Sequence, residues 1–358
     1  MKLFADNLYD TSCNRRVTPL EVEKCRQLVA DIKSVVSMSK LASSEKNWKS
    51  PNGESVYGEI LKCTWDITAD FLERLRMESF VFSGWHLSNV ITKKEVVPSW
   101  TDALGAHFST HSNKDWSISA FRYYTQSLPD EYICDPPLVA GEVGYRVGRY
   151  CVNRDTVAYQ ERMTVLLHLG LLERLKSRER PVIVEIGGGY GALAYFIKRV
   201  VPHARYFIID LPQSLMFSGC YLTLAQNRFP IVVYNGGDIP PLPEPYILVP
   251  DSLAKQLDPD AIDLAINTMS FAEMPRSTVA EYADFIARHL DDEGALFEQN
   301  FDNSHYRKDT FCAPREAIAP FFQDSFHLTG KFLWGAPTVW KHKAAIRYSA
   351  ANSDTRSL

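Results

Sequence analysis

The spacing of apolar residues changes near Pro181. Before that point it is mostly helical. Thr18-Pro19-Leu20-Glu21 reads as a capping box with proline at the first helical position. Leu28, Ile32, Val35 and Val36 continue that helix at the right spacing. Ser55 to Met77 predicts a second helix, with Ile60, Leu61, Trp65, Phe71 and Leu72 on its apolar face. The stretch from Trp85 to Gly148 is irregular and aromatic-rich, and predicts no defined element. Asn153 to Lys176 returns to a helical period, with Val165, Leu166, Leu169 and Leu172 as its buried face.

After Pro181 short apolar runs alternate with amphipathic segments. Val182 to Ile186 is continuous except for one acid, which suits a strand buried on both faces of a parallel sheet. Leu193, Phe196, Ile197, Val200 and Val201 form a helix face. Tyr206 to Ile209 predicts the next strand, ending in Asp210, and Pro212 to Gln226 the next helix. Further strand-like runs lie at Ile231–Tyr234, Tyr246–Val249, Leu264–Ile266 and Ala295–Phe297, with a helix at Thr278 to Leu290 between the last two. Shorter strands are expected near Ser325–Leu328 and Thr338–Lys341. Such alternation predicts a doubly wound, Rossmann-like α/β sheet behind an N-terminal, mainly helical domain. The expected division is 1–150 for the helical cap, 151–350 for the α/β domain and 351–358 for a frayed tail.

Composition narrows the class. The chain has 358 residues, 46% hydrophobic and 23% charged, the balance of a soluble globular protein. A net charge of −4 gives no electrostatic reason to expect nucleic acid. The N-terminus lacks an apolar stretch of signal-peptide length and no run is long enough to span a membrane, so a cytoplasmic location is expected. The seven cysteines are scattered, odd in number and without a CxxC pair, which fits reduced thiols.

The candidate chemistry sits in Glu185-Ile186-Gly187-Gly188-Gly189-Tyr190-Gly191. Glycines between a buried strand and a helix let the backbone approach a nucleotide closely. Gly187-x-Gly189-x-x-Ala192 also satisfies the dinucleotide pattern, and an acid such as Asp210 at the end of the next strand binds ribose hydroxyls in either case. Glu185 separates the two readings. A pyrophosphate placed against this turn would meet a like charge, which costs several kcal/mol at about 4 Å. S-adenosylmethionine carries a sulfonium and an α-ammonium instead, and a carboxylate attracts both. The sulfonium donor is therefore favoured over NAD.

Three segments carry a family resemblance: Val182 to Gly191, Ile209-Asp210-Leu211-Pro212, and Asp263-Leu264-Ala265-Ile266-Asn267-Thr268-Met269-Ser270-Phe271-Ala272-Glu273-Met274. From Pro181 to Lys341 the chain resembles class I S-adenosylmethionine-dependent methyltransferases, and the three motifs resemble those of a bacterial sugar O-methyltransferase family. The resemblance implies S-adenosylmethionine as donor and a hydroxyl of a sugar or glycosylated metabolite as acceptor. It implies that Glu185, Gly187, Gly188, Gly189 and Gly191 hold the methionine moiety. Asp210 would then bind the ribose, with Leu211 beside the adenine. Asp251 and Ser252, after the Tyr246–Val249 run, are the candidates for the adenine edge, and Asp238 is the alternative if Ile231–Tyr234 is the relevant strand. Asn267 and Thr268 end the next strand on the edge where ligands bind in such sheets.

Transfer of a methyl group to a hydroxyl needs a proton acceptor within hydrogen-bond reach. Glu273 is the first candidate, and His305, in the loop Asp302-Asn303-Ser304-His305-Tyr306, the second. His107 and His111 lie in the N-terminal part that would cover the pocket. Each has an equally ordinary reading: a carboxylate at a helix start or a solvated histidine. Asp238, Asp251, Asp302 and Glu298 show no compact metal-ligand spacing, so no metal is expected. Trp85, Trp100, Trp116, Tyr123, Tyr124 and Tyr132 read either as core or as a platform for sugar rings. A non-sugar natural product as acceptor, or a silent methyltransferase-fold binding module, are the other readings. A homodimer is compatible with the sequence.

Overall fold

The computed structural model describes residues 8–9, 11–38, 67–78, 110–226, 228–302, 314–327, 332 and 335–342. The N-terminal part holds strand β1 (Leu8–Tyr9) and helices α1 (Pro19–Met38), α2 (Ala69–Glu73), α3 (Leu75–Glu78) and α4 (Thr110–Thr125). Strands β2 (Gly144–Val147) and β3 (Tyr150–Val152) pair antiparallel, and β1 adds to β2. The capping box at the start of α1 forms: Glu21 N–H donates to Thr18 Oγ1 at 3.3 Å, and Thr18 N–H donates to Glu21 Oε2 at 2.9 Å. Only the end of the predicted Ser55–Met77 helix is described, as α2 and the start of α3; the rest lies outside the described residues. The aromatic stretch with no predicted element contains α4, β2 and, within 110–148, several buried side chains.

The predicted Asn153–Lys176 helix is two helices, α5 (Arg154–His168) and α6 (Leu171–Ser177). Gly170, at φ +69°, takes the left-handed conformation that ends α5 and turns the chain. Asn153 caps α5 by accepting from Thr156 N–H at 2.9 Å.

Beyond Pro181 the chain builds an eight-stranded sheet. Its strands are β4 (Val182–Ile186), β5 (Arg205–Asp210), β6 (Ile231–Val233), β7 (Tyr246–Pro250), β8 (Ile262–Thr268), β9 (Leu290–Gln299), β10 (Phe322–His327) and β11 (Thr338–His342). The order is β10-β11-β9-β8-β4-β5-β7-β6. All neighbours from β9 to β6 pair parallel, while β11 runs antiparallel between β9 and β10. Both apolar runs that competed for the place beside β5 become strands: β7 pairs directly with β5, and β6 lies beyond it at the edge.

Alternate residues of each strand face opposite sides, so the sheet has two cores. Ile183, Ile208, Leu248, Leu264 and Phe297 join one, with α1, α5, α6, α7 (Ala192–Val200) and α8 (Pro212–Ala225). Val184, Phe207, Ile247, Ala265 and Leu296 join the other, with α9 (Arg276–His289) and α10 (Pro314–Ile318). This is the expected doubly wound α/β architecture. The N-terminal helix α1 is part of it: at Gly219 of α8 a Cβ would stand 2.4 Å from Leu28 Cδ2, so glycine makes the notch that α1 enters. Among the described residues no helix is long and apolar enough to cross a membrane.

Candidate functional site

The order of strands reverses at β4, with β5 on one side and β8 on the other. Ligands of open α/β sheets bind outside the carboxyl ends of the strands at such a switch point. The glycine turn Gly187–Gly191 leaves β4 there and enters α7. Gly187 has φ +75°, and a Cβ on it would lie 2.1 Å from Ser270 Oγ. At Gly188 a Cβ would meet Ile208 Cγ2 at 2.7 Å and Glu185 Oε2 at 3.3 Å. Side chains are excluded at both positions, and the bare backbone of the turn is what faces the switch point.

Three acids gather around this turn. Glu185 is buried at the tip of β4 and accepts a hydrogen bond from the Tyr206 hydroxyl at 2.9 Å. Burial pushes its carboxyl up to about 7; the Tyr206 hydroxyl and the Arg162 charge oppose that rise, and Asp210 adds to it. Asp210, at the end of β5, accepts from Gly189 N–H at 2.9 Å and Leu211 N–H at 2.7 Å. Burial still raises it to about 7, with a further contribution from Asp251. Glu273 lies in the single turn Phe271–Glu273 after β8, and is raised to about 7 by burial and then by the charge of Asp210. Asp251 and Ser252 open the turn after β7, half-buried, beside the end of β5. Asp238 is exposed beyond the edge strand β6. Leu211 is buried and starts α8.

Asn267 has a different job from the acids. It is fully buried, and its amide donates to Ile186 O at 2.9 Å and Ser270 Oγ at 2.6 Å. Its oxygen accepts from Phe271 N–H at 3.2 Å and Asn300 Nδ2 at 2.9 Å. Its two N–H groups and both oxygen lone pairs are thus engaged by protein groups. Asn267 and Ser270 together pin the carbonyl of Ile186, so the Asp263–Met274 motif braces the glycine turn. Thr268 is buried at the end of β8, and Met269 follows at φ +71°. A non-glycine residue in that region stores strain, which the N–H of Met269 donating to Gln299 O at 2.9 Å helps to hold.

Several site residues carried no signal in the sequence. Arg76 of α3 is fully buried, pairs with Glu142 at 2.7 Å and Asp155 at 2.8 Å, and lies 3.6 Å over the Tyr190 ring. Tyr190 is also met edge-on by Tyr159 and Tyr221. The N-terminal part thereby clamps the glycine turn from outside the sheet. One face of α5 continues from Asp155 through Tyr159 to Arg162, at helical spacing. Arg162 is 6% exposed; its Nε reaches Gln299 Oε1 at 3.4 Å and its guanidinium stands 5.3 Å from the Tyr159 ring. The neighbouring Glu161 turns to other partners, accepting from Gln299 Nε2 at 2.7 Å and from the Tyr124 hydroxyl. In the sequence Arg162 follows Gln160 and Glu161, so it reads as one more polar position of α5.

Of the aromatics read as core or platform, Trp116 and Tyr124 pack against the small core around Phe121 and Val152, Tyr132 is buried and Tyr123 is exposed. Trp85, Trp100, His107 and His305 lie outside the described residues, as does the side chain of His111. Among the described residues no group of three or more His, Cys, Asp or Glu could hold a metal ion.

No protein-family model and no curated sequence matches the chain. Among solved structures it is similar to the mitomycin 7-O-methyltransferase MmcR, at 13% identity and a TM-score of 0.34, over 52% of this chain and 57% of that one. The chain thus spans less than two thirds of the mitomycin enzyme. It is also similar to the N-methyltransferase NodS from Bradyrhizobium japonicum WM9 in complex with S-adenosyl-L-homocysteine, at 14% identity and 0.36, over 63% and 98% of the two chains. The ribosomal protein L11 methylase from Lactobacillus delbrueckii subsp. bulgaricus gives 16% and 0.33, over 50% and 78%.

Proposed function

We propose that this chain is an S-adenosylmethionine-dependent O-methyltransferase acting on a hydroxyl of a sugar or glycosylated metabolite. The observation that carries the donor is the buried Glu185 carboxyl against a glycine turn, raised by burial and left without an ion pair within 4.0 Å among the described residues. Such a group gains by meeting a cation and would repel a pyrophosphate. Asp210 fits the ribose role: two backbone N–H groups hold its carboxylate in place, and lone pairs remain for diol hydroxyls. Asp251 and Ser252 stand on the adenine side. The oxygen acceptor and the sugar rest on the resemblance of the Asp263–Met274 segment.

Bound S-adenosylmethionine would supply an electrophilic methyl group on a positively charged sulfur. The chain's own contribution is position, dryness and a proton acceptor. Glu273, half-buried after β8 and raised to about 7, has the proton affinity suited to a base near neutral pH. Thr268 and the strained Met269 fix the loop that carries it.

Isothermal titration with S-adenosylhomocysteine tests the donor. Binding is expected for the wild type, with Glu185→Ala at least about tenfold weaker. No binding by the folded wild type, or an unchanged Glu185→Ala, overturns the assignment. Mass spectrometry of sugars, glycosides and their aglycones incubated with S-adenosylmethionine tests the acceptor. Methylated aglycones alone would favour a non-sugar natural product, and firm binding without turnover on any extract would favour a silent module.

A further inference from the structure

Arg162 is a buried cation whose terminal nitrogens have no partner among the described residues. Among the described residues it forms no ion pair within 4.0 Å, and its one hydrogen bond, from Nε to Gln299, is 3.4 Å long. Neither terminal nitrogen donates to any described residue. Leaving a charge this deep without a counter-charge is costly, and buried charges are normally paired. The carboxylates nearby are committed elsewhere. Asp155 takes Arg76, and Glu161 takes Gln299 and Tyr124. Glu185 acts on Arg162 electrostatically, yet accepts its hydrogen bond from Tyr206 and stays beyond ion-pair distance.

Two opposite charges thus lie within electrostatic reach of each other near the carboxyl ends of β4 and β9, without forming an ion pair among the described residues. Glu185 comes from β4 and Arg162 from α5, with Tyr159 packed on both the glycine turn and the guanidinium. An α-amino acid presents an ammonium and a carboxylate on one carbon, which is the complement of this pair. We infer that Arg162 binds the α-carboxylate of the donor's amino-acid end while Glu185 takes its α-ammonium, so that the site selects a donor carrying an intact amino acid. This inference rests on the reading of the glycine turn as an S-adenosylmethionine site. It assigns a binding role to the N-terminal side of the fold, where no motif was found.

The test compares three probes by isothermal titration: S-adenosylhomocysteine, its decarboxylated analogue that keeps the amine, and methylthioadenosine, which lacks the amino-acid end. The wild type is expected to prefer S-adenosylhomocysteine to the decarboxylated analogue by about 10- to 100-fold, the range for a charge-assisted contact. Arg162→Met should abolish most of that preference and leave affinity for the decarboxylated analogue within about threefold. Arg162→Lys should restore part of it, and serves as the deciding variant if Arg162→Met does not fold. Equal wild-type affinity for the first two probes overturns the inference, as does a preference that survives in Arg162→Met or Arg162→Lys unchanged. In both cases tight binding of S-adenosylhomocysteine would leave the donor reading standing. Failure of the folded wild type to bind any of the three would remove the donor reading itself.

Discussion

At the scale of single residues, Glu185 and Asn267 show how differently two neighbours of one turn behave. Asn267 is saturated by protein groups and serves as a brace. Glu185 is buried with a single hydrogen bond, and its carboxyl stands at about 7 against an ordinary 4.5. Holding that charge above pH 7 without a ligand costs the fold stability. Glu185→Gln keeps an oxygen to accept from Tyr206 and removes the charge. The variant is expected to be more stable than wild type at pH 8 by ~1–3 kcal/mol, judged from the size of the shift, and equally stable near pH 4. Thermal denaturation at the two pH values decides it; a variant that is less stable at pH 8 contradicts the burial argument. The same substitution should weaken binding of S-adenosylhomocysteine, the stability–function opposition expected of a binding group. The sequence exposed Glu185 and Asp210 because each ends a strand whose apolar run is unmistakable. It could not expose Asn267 as a brace, since that depends on Ile186 O, Ser270 and Asn300 meeting in space.

At the scale of elements, strands β4 to β9 and the helices between them were legible because fully buried parallel strands are continuous apolar runs and their helices keep one apolar face. The N-terminal side was less legible for a physical reason. Its role at the site is carried by buried charges, Arg76, Glu142, Asp155 and Arg162, and charged positions read as surface in any periodicity argument. The split between α5 and α6 was missed at Gly170, because apolar spacing runs straight through it while the backbone does not. Both competing runs, Ile231–Tyr234 and Tyr246–Val249, are strands, and sheet order puts the preferred one, Tyr246–Val249, beside β5. The Arg76 clamp carries its own prediction. Arg76→Met would leave Glu142 Oε2 and Asp155 Oδ2 buried without their cation, which costs ~3–5 kcal/mol when one partner of a buried pair is removed. Urea denaturation should show that loss. It should be smaller in Arg76→Met combined with Asp155→Asn, because one stranded charge is then gone; an additive or larger loss would mean that Arg76 acts mainly by packing on Tyr190.

At the scale of the whole molecule, the raised acids link folding, pH and donor charge. Glu185, Asp210 and Glu273 each stand at about 7 in the fold, against ordinary values of 4.5, 3.8 and 4.5. Each binds its proton more tightly folded than unfolded, so its stabilising contribution is complete below about 4 and is lost as pH rises through 7. Lys198 works the other way, lowered from 10.5 to about 7 by burial, but its effect falls between those two values. Glu21 and Glu173 are lowered from 4.5 and act only below that value. Asp135 and Asp263 are also raised by burial and act in the same direction as the site acids, so the ligand-free protein should lose thermal stability between pH 5 and 7. A bound cation reverses the preference, because it favours the ionised carboxylates. S-adenosylmethionine has one more positive charge than S-adenosylhomocysteine, so the affinity ratio of the two should rise with pH from 6 to 8, and its binding should release protons. Calorimetry in two buffers of different ionisation enthalpy measures that release directly. A ratio independent of pH would mean that the acids answer only to the α-ammonium that both compounds carry, and proton uptake on binding would mean that the charge argument for the donor fails.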